Sequence, residues 1–237
     1  LIPSTTLMIE NIFITPLAES TEKGEMMRQI LNGIIIISVP IAFFTSTYSD
    51  AIIKAAFERG VFTTGSTKMT ADALTYFATA IPALFIVPVC TRLFQILEKI
   101  GKITVVAFAT VLLNVFLNFI FMRMGMGIKG LALASSISWY GTVVGFMWLL
   151  RHFGIHAVKK EGFNVLLIAL VVSVAAVGVT FIVPLKAETI IGLVVRGMIF
   201  IAASSVLYFL IPNRDIRYWR ETVFREILTR RKPTESM

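Results

Sequence analysis

Hydropathy predicts an all-α integral membrane protein, and three observations carry the prediction. Apolar runs of about 20 residues recur along the chain, each long enough to cross the roughly 30 Å hydrocarbon core of a bilayer as a helix. Charged residues collect in the short connections between those runs. The third observation is compositional: of 237 residues, 57% are hydrophobic and 15% charged, with a mean hydropathy of +0.83, which leaves too little polar surface for a water-soluble domain. The net charge of +8 does not point to nucleic acid, because the positive residues lie between and after the apolar runs, where they suit anionic lipid headgroups. The single Cys, Cys90, excludes an internal disulfide, argues against a cysteine metal centre and suits a small residue packed within a helix.

The chain opens on Leu1-Ile2-Pro3-Ser4, with neither an initiator Met nor a signal-peptide core, and reads as the interruption of something longer. Residues 1–17 are apolar but broken by Pro3, Glu10, Asn11 and Pro16, so they are expected to form the end of a truncated transmembrane helix. Glu10 and Asn11 would be costly against lipid and should face protein or a water-filled cavity. Residues 18–28 carry Glu19, Glu22, Lys23, Glu25 and Arg28 and suit a solvated connection or amphipathic turn.

The first complete crossing is expected over about residues 29–48. Pro40 should kink its middle and free a carbonyl for Ser38 or another helix to satisfy. Residues 50–68 mix Lys54, Glu58 and Arg59 with Ile52, Ile53, Ala56 and Phe57, a candidate interfacial helix with Ile53 and Phe57 near one face. A transmembrane hairpin follows, from Met69 to Phe121, turning at Leu97-Glu98-Lys99-Ile100-Gly101-Lys102. Pro82 and Pro88 should interrupt its first helix. Arg92, near that helix's far end, fits either a snorkelling anchor or a contact to a substrate phosphate. The return helix, about 103–122, places Asn114 and Asn118 on one face, where both interhelical bonding and a contact in a transport cavity fit.

Residues 130–150 form the next crossing, in which Gly141 and Gly145 give the small-residue spacing for close helix packing. Two further crossings cover about 163–183 and 190–211. The second carries Arg196, for which snorkelling, a local ion pair and recognition of an anionic headgroup all come into question. Residues 212–237 form a basic, amphipathic tail. No set of acidic residues, His or nucleophiles stands at a recognisable catalytic or metal-binding spacing, so neither an enzyme nor a cofactor is expected. One alternating set of connections holds Lys23, Arg28, Arg92, Lys99, Lys102, Arg151, Lys159, Lys160 and the tail cations, and the other only Lys54, Arg59, Lys68, Arg123, Lys129 and Lys186. The positive-inside rule puts the richer set and the C terminus in the cytoplasm.

Pro16-Leu17-Ala18-Glu19, then Phe57-Glu58-Arg59-Gly60-Val61-Phe62, the 92–102 hairpin, Asn114 with Asn118, and Gly127-Ile128-Lys129-Gly130-Leu131-Ala132-Leu133-Ala134 occur in an order that resembles the MurJ/MviN family of lipid-linked cell-wall precursor flippases. That family lies within the MOP transporter superfamily, and the resemblance covers nearly the whole chain but only the family's second half. It implies a second-lobe bundle over residues 18–152, a C-terminal transmembrane pair over 163–211 associated with a groove for a lipid tail, and location in a bacterial inner membrane. The implied function is part of a transporter that flips a polyprenyl-diphosphate-linked sugar or sugar-peptide to the outer leaflet. Its implied partners are membrane lipids, a missing N-terminal lobe in cis or in trans, and a monovalent cation gradient or membrane potential that biases the cycle. Arg92, Asn114, Asn118, Glu10, Asn11 and Arg196 are the candidates for the substrate route, and Pro40, Pro82, Pro88, Gly141 and Gly145 for kinks and packing. Another MOP-type polysaccharide-lipid or multidrug exporter, or a membrane scaffold that does not transport, is the alternative.

Overall fold

The computed structural model describes residues 23–57, 64–157, 160–182, 189–213 and 216–218. Glu10, Asn11 and nearly all of the basic tail lie outside the described residues. Eight helices are described: α1 Lys23–Thr47, α2 Ser49–Phe57, α3 Thr64–Ala78, α4 Ile81–Ile96, α5 Ile100–Arg123, α6 Gly127–His152, α7 Lys160–Ile182 and α8 Ile190–Leu210. Five of them, α1 and α5 to α8, are long and apolar enough to cross a membrane; α3 and α4, bent by 46° at a short break, make a sixth candidate if counted as one broken span. These six are the crossings that hydropathy predicts.

α1 begins earlier than expected, within the charged stretch, because Glu25 and Arg28 pair across one turn: Arg28 Nε donates to Glu25 Oε2 at 3.1 Å and its Nη2 to Oε1. Pro40 lies within α1 without ending it. The Ser38 hydroxyl is not spent on the Ile36 carbonyl that Pro40 leaves without its usual donor; it donates to Ile34 O at 2.6 Å. In α2, Ile53 is buried as its place on an amphipathic face requires, whereas Phe57 at the helix end is exposed.

The break between α3 and α4 corrects the expected role of the prolines. It falls at Thr79–Ala80, and Pro82 stands in the first turn of α4, where a missing N–H has no helical partner to lose. Pro88 lies inside α4, which runs on through it, so it does not interrupt the helix. α4 then closes as Glu98 N donates to Gln95 O and Lys99 N to Phe94 O, with Glu98 held at a φ of 56°. The turn into α6 uses Gly125 and Gly127 at φ 75° and 56°, a conformation glycine adopts without steric cost.

The larger core forms where α1, α4, α5 and α6 meet, around Met27, Leu93, Phe94, Phe146 and Leu150. Phe94 and Phe146 pack with ring centroids 5.3 Å apart. A smaller cluster of Ala176, Val177 and Phe200 joins α7 and α8 and takes in Phe43 and Phe44 of α1. α5 is the least covered span, with Phe108, Phe116 and Phe119 each about 60% exposed on an outer face that is apolar from Val105 to Met122.

Candidate functional site

In an apolar bundle the informative groups are the polar ones that cannot reach water, since each needs a partner inside the protein. They gather in three seams.

The first lies between α5 and α6. Four residues apart on one face of α5, Asn118 Nδ2 donates to Asn114 Oδ1 at 3.0 Å, and Asn114 Nδ2 reaches Ser135 Oγ of α6 at a long 3.4 Å. Asn118 Oδ1 is buried and has no hydrogen-bond donor. One helical turn toward the α4 side, Thr110 and Thr142 hydroxyls meet at 2.8 Å. The helices come this close because α6 presents glycine: a Cβ on Gly141 would stand 2.8 Å from Leu113 Cδ2, and one on Gly145 3.2 Å from Val106 Cγ1. The arrangement leaves one amide oxygen directed into the bundle and able to accept a hydroxyl or an amide N–H.

The second seam holds the α3–α4 break. There α6 meets the end of α3: Tyr140 OH donates to Thr79 O at 2.7 Å, and the Ser136 hydroxyl shares its proton between Tyr76 O at 2.8 Å, which Thr79 N and Oγ1 also reach, and Ala132 O of its own helix at 3.0 Å. In the middle of α3, Asp72 pairs with Lys129 in the first turn of α6 at 2.6 Å. A hydroxyl that accepts no bond of its own can still donate, which is why Ser and Tyr rather than apolar residues face a broken helix.

The third joins α1, α7 and α8. Arg196 is 8% exposed, so it does not snorkel; its Nη1 donates to Tyr48 OH at 3.1 Å, and the guanidinium stands 5.6 Å from the Tyr48 ring and 5.8 Å from that of Phe181. Thr180 Oγ1 gives its proton to Val177 O, so Tyr48 OH is left to donate to Thr180. The sequence shows the buried Arg but gives no periodicity or spacing that selects Tyr48 and Thr180, which are 148 and 16 residues from it, as its neighbours.

The other candidates fall elsewhere. Arg92 is exposed at the end of α4, and its Nη1 donates to Gln95 Oε1 at 3.1 Å. Arg92, Asn114 and Arg196 thus occupy three different places and do not form one cluster. Asn32 of α1, which sequence reasoning passes over, is 2% exposed with its Nδ2 buried and unbonded, close to Gly162 of α7. A polar residue just inside the start of an apolar run is the signal that could have singled it out. Among the described residues no three His, Cys, Asp or Glu side chains group as a metal site.

A family model described as lipid II flippase MurJ matches residues 7–211, a stretch that takes in every helix from α1 to α8. Among solved structures, the chain is similar to one described as lipid II flippase MurJ in an inward closed conformation, with a TM-score of 0.69 and 18% sequence identity. The alignment covers 84% of this chain and 41% of that one, so the chain spans about two-fifths of that protein's length. No curated protein matches.

Proposed function

The chain belongs to the MurJ lipid II flippase family, by the match over residues 7–211, and from that premise we propose that it supplies the second helical lobe and the C-terminal membrane pair of a transporter for polyprenyl-diphosphate-linked cell-wall precursors. Transport of this kind breaks no bond. The polar headgroup has to cross the apolar core while the lipid tail stays in it, and alternating access does this by rocking one bundle against another around a central polar route. A first lobe, in cis or in trans, is the partner this reading requires. The cycle draws its direction from a monovalent cation gradient or the membrane potential. Connections richer in Lys and Arg, together with the C terminus, face the cytoplasm.

Within the chain, the α5–α6 seam is the best candidate for the polar route. Its supporting observation is the buried Asn118 Oδ1, a strong acceptor left open beside Asn114 and Ser135. Headgroup hydroxyls and amides are the complementary donors. Arg92, exposed near the end of α4, is in this reading the candidate for meeting a diphosphate at the membrane surface before entry.

The test is photocrosslinking from the seam. With a photoreactive residue in place of Leu117 and the chain in nanodiscs beside its first lobe, a polyprenyl-diphosphate sugar should be captured. An excess of unlabelled diphosphate lipid should suppress the capture. Labelling indifferent to diphosphate would instead favour an exporter of other amphiphiles.

A further inference from the structure

Two adjacent residues stand between the C-terminal pair and the broken span. Tyr48 is 5% exposed at the corner where α1 turns into α2, and its backbone continues both helices: Tyr48 N donates to Phe44 O and Ile52 N to Tyr48 O. Its hydroxyl accepts from Arg196 of α8 and donates to Thr180 of α7, as described above. The next residue, Ser49, points the other way. Thr75 Oγ1 of α3 returns its proton to Ala71 O, so the Ser49 hydroxyl donates to Thr75 across 2.7 Å.

Thr75 lies in the last turn of α3. The neighbouring Tyr76 O is one of two carbonyls that share the Ser136 hydroxyl, and Thr79 O, at the break itself, takes that of Tyr140. The end of α3 is therefore clamped between α2 on one side and α6 on the other. A continuous line of hydrogen bonds and one rigid corner runs from Arg196 through Tyr48 and Ser49 to Thr75 and the break.

We propose that Tyr48 and Ser49 are positioning residues that couple the C-terminal pair α7–α8 to the bend between α3 and α4. Movement of α8, through Arg196, turns the α1–α2 corner; the corner carries Ser49, and Ser49 moves the end of α3 against the hydroxyls of α6. A broken helix held by three side-chain hydroxyls is suited to this, because such bonds exchange partners without unfolding a helix. On the flippase reading, on which its role in transport rests, the coupling makes the state of the lipid-facing pair felt at a span packed against α6. The coupling itself is measurable without transport.

The test uses the full chain in nanodiscs, in a Cys90→Ala background, with spin labels at Met69→Cys on α3 and Leu84→Cys on α4, both at exposed positions. Pulsed electron spin resonance reads the distance across the break. Tyr140→Phe, which releases Thr79 O directly, calibrates the response. Tyr48→Phe keeps the ring and the fold and removes only the hydroxyl, far from the break. It should move or broaden the distance distribution by about 2 Å, the scale of helix shifts between packed states. Ser49→Ala should do the same, and the double variant should do no more than either single one, as expected for two links in series. A distribution that responds to Tyr140→Phe but not to Tyr48→Phe would overturn the proposal, as would one that responds to neither, or additive effects of the two corner substitutions. Loss of substrate photocrosslinking with the distance response intact would count against the flippase reading alone.

Discussion

A hydroxyl is the easiest polar group to carry inside a membrane helix, because it can return its proton to a carbonyl one turn back and still accept from a neighbour. Ser38, Ser138 and Ser173 return theirs in this way, and Thr75 and Thr180 do so while also receiving a bond from another helix. An amide has more to satisfy, and Asn118 keeps one oxygen open. Interhelical hydrogen bonds within membranes contribute about 0.6 kcal/mol each. Replacing Asn114 and Asn118 together by Leu should therefore leave expression and insertion close to their original level. If their face lines the route, flipping per inserted molecule in proteoliposomes should fall by about tenfold, corresponding to roughly 1.4 kcal/mol; unchanged flipping per molecule would remove both residues from the route. The pairing of Asn114 with Asn118 was legible, since a spacing of four residues on a helix puts them on one face. The Ser135 contact and the Arg196–Tyr48 bond were not, because hydropathy and spacing say that a buried group needs a partner without saying which helix supplies it.

At the scale of the element, close approach sets which glycines matter. A Cβ on Gly130 would stand 2.8 Å from the Cβ atoms of both Met126 and Phe121, atoms that cannot move without the backbone. On Gly141 it would meet only the end of Leu113, a side chain with another rotamer to adopt. Gly130→Ala should accordingly lower the stability of the α5–α6 hairpin by about 1–3 kcal/mol, and Gly141→Ala by less than about 1 kcal/mol, since Ala also removes the conformational freedom of Gly from the unfolded chain. Thermal unfolding of the two variants in detergent decides it; equal losses would contradict the distinction between a contact anchored to the backbone and one to the end of a side chain. The spans themselves could be read from hydropathy to within a few residues. The site of the break could not, because Pro82 and Pro88 look alike in sequence. What separates them is α6, whose Tyr140 donates to Thr79 O at the break.

At the scale of the whole molecule, the alternation of rich and poor positive connections predicts a topology that the arrangement of helices does not by itself orient. In a Cys90→Ala background, a cysteine at Lys99 in the α4–α5 turn should react with an impermeant thiol reagent applied from the cytoplasmic side. One at Met124, in the α5–α6 turn, should react only from the opposite side; labelling of both from one side would remove α5 as a crossing. The family was legible because its motifs occur in a fixed order along the chain, whereas neither the proposed partner lobe nor the proposed coupling ion is written in this chain's residues. The central claim is that this chain is one lobe of a lipid flippase, and its most direct measurement is translocation of a fluorescent polyprenyl-diphosphate sugar in proteoliposomes. The account predicts translocation when the chain is reconstituted with a MurJ-family first lobe and only the protein-free rate when it is reconstituted alone. Protein-free rates in both, with the two lobes shown to assemble, would contradict it.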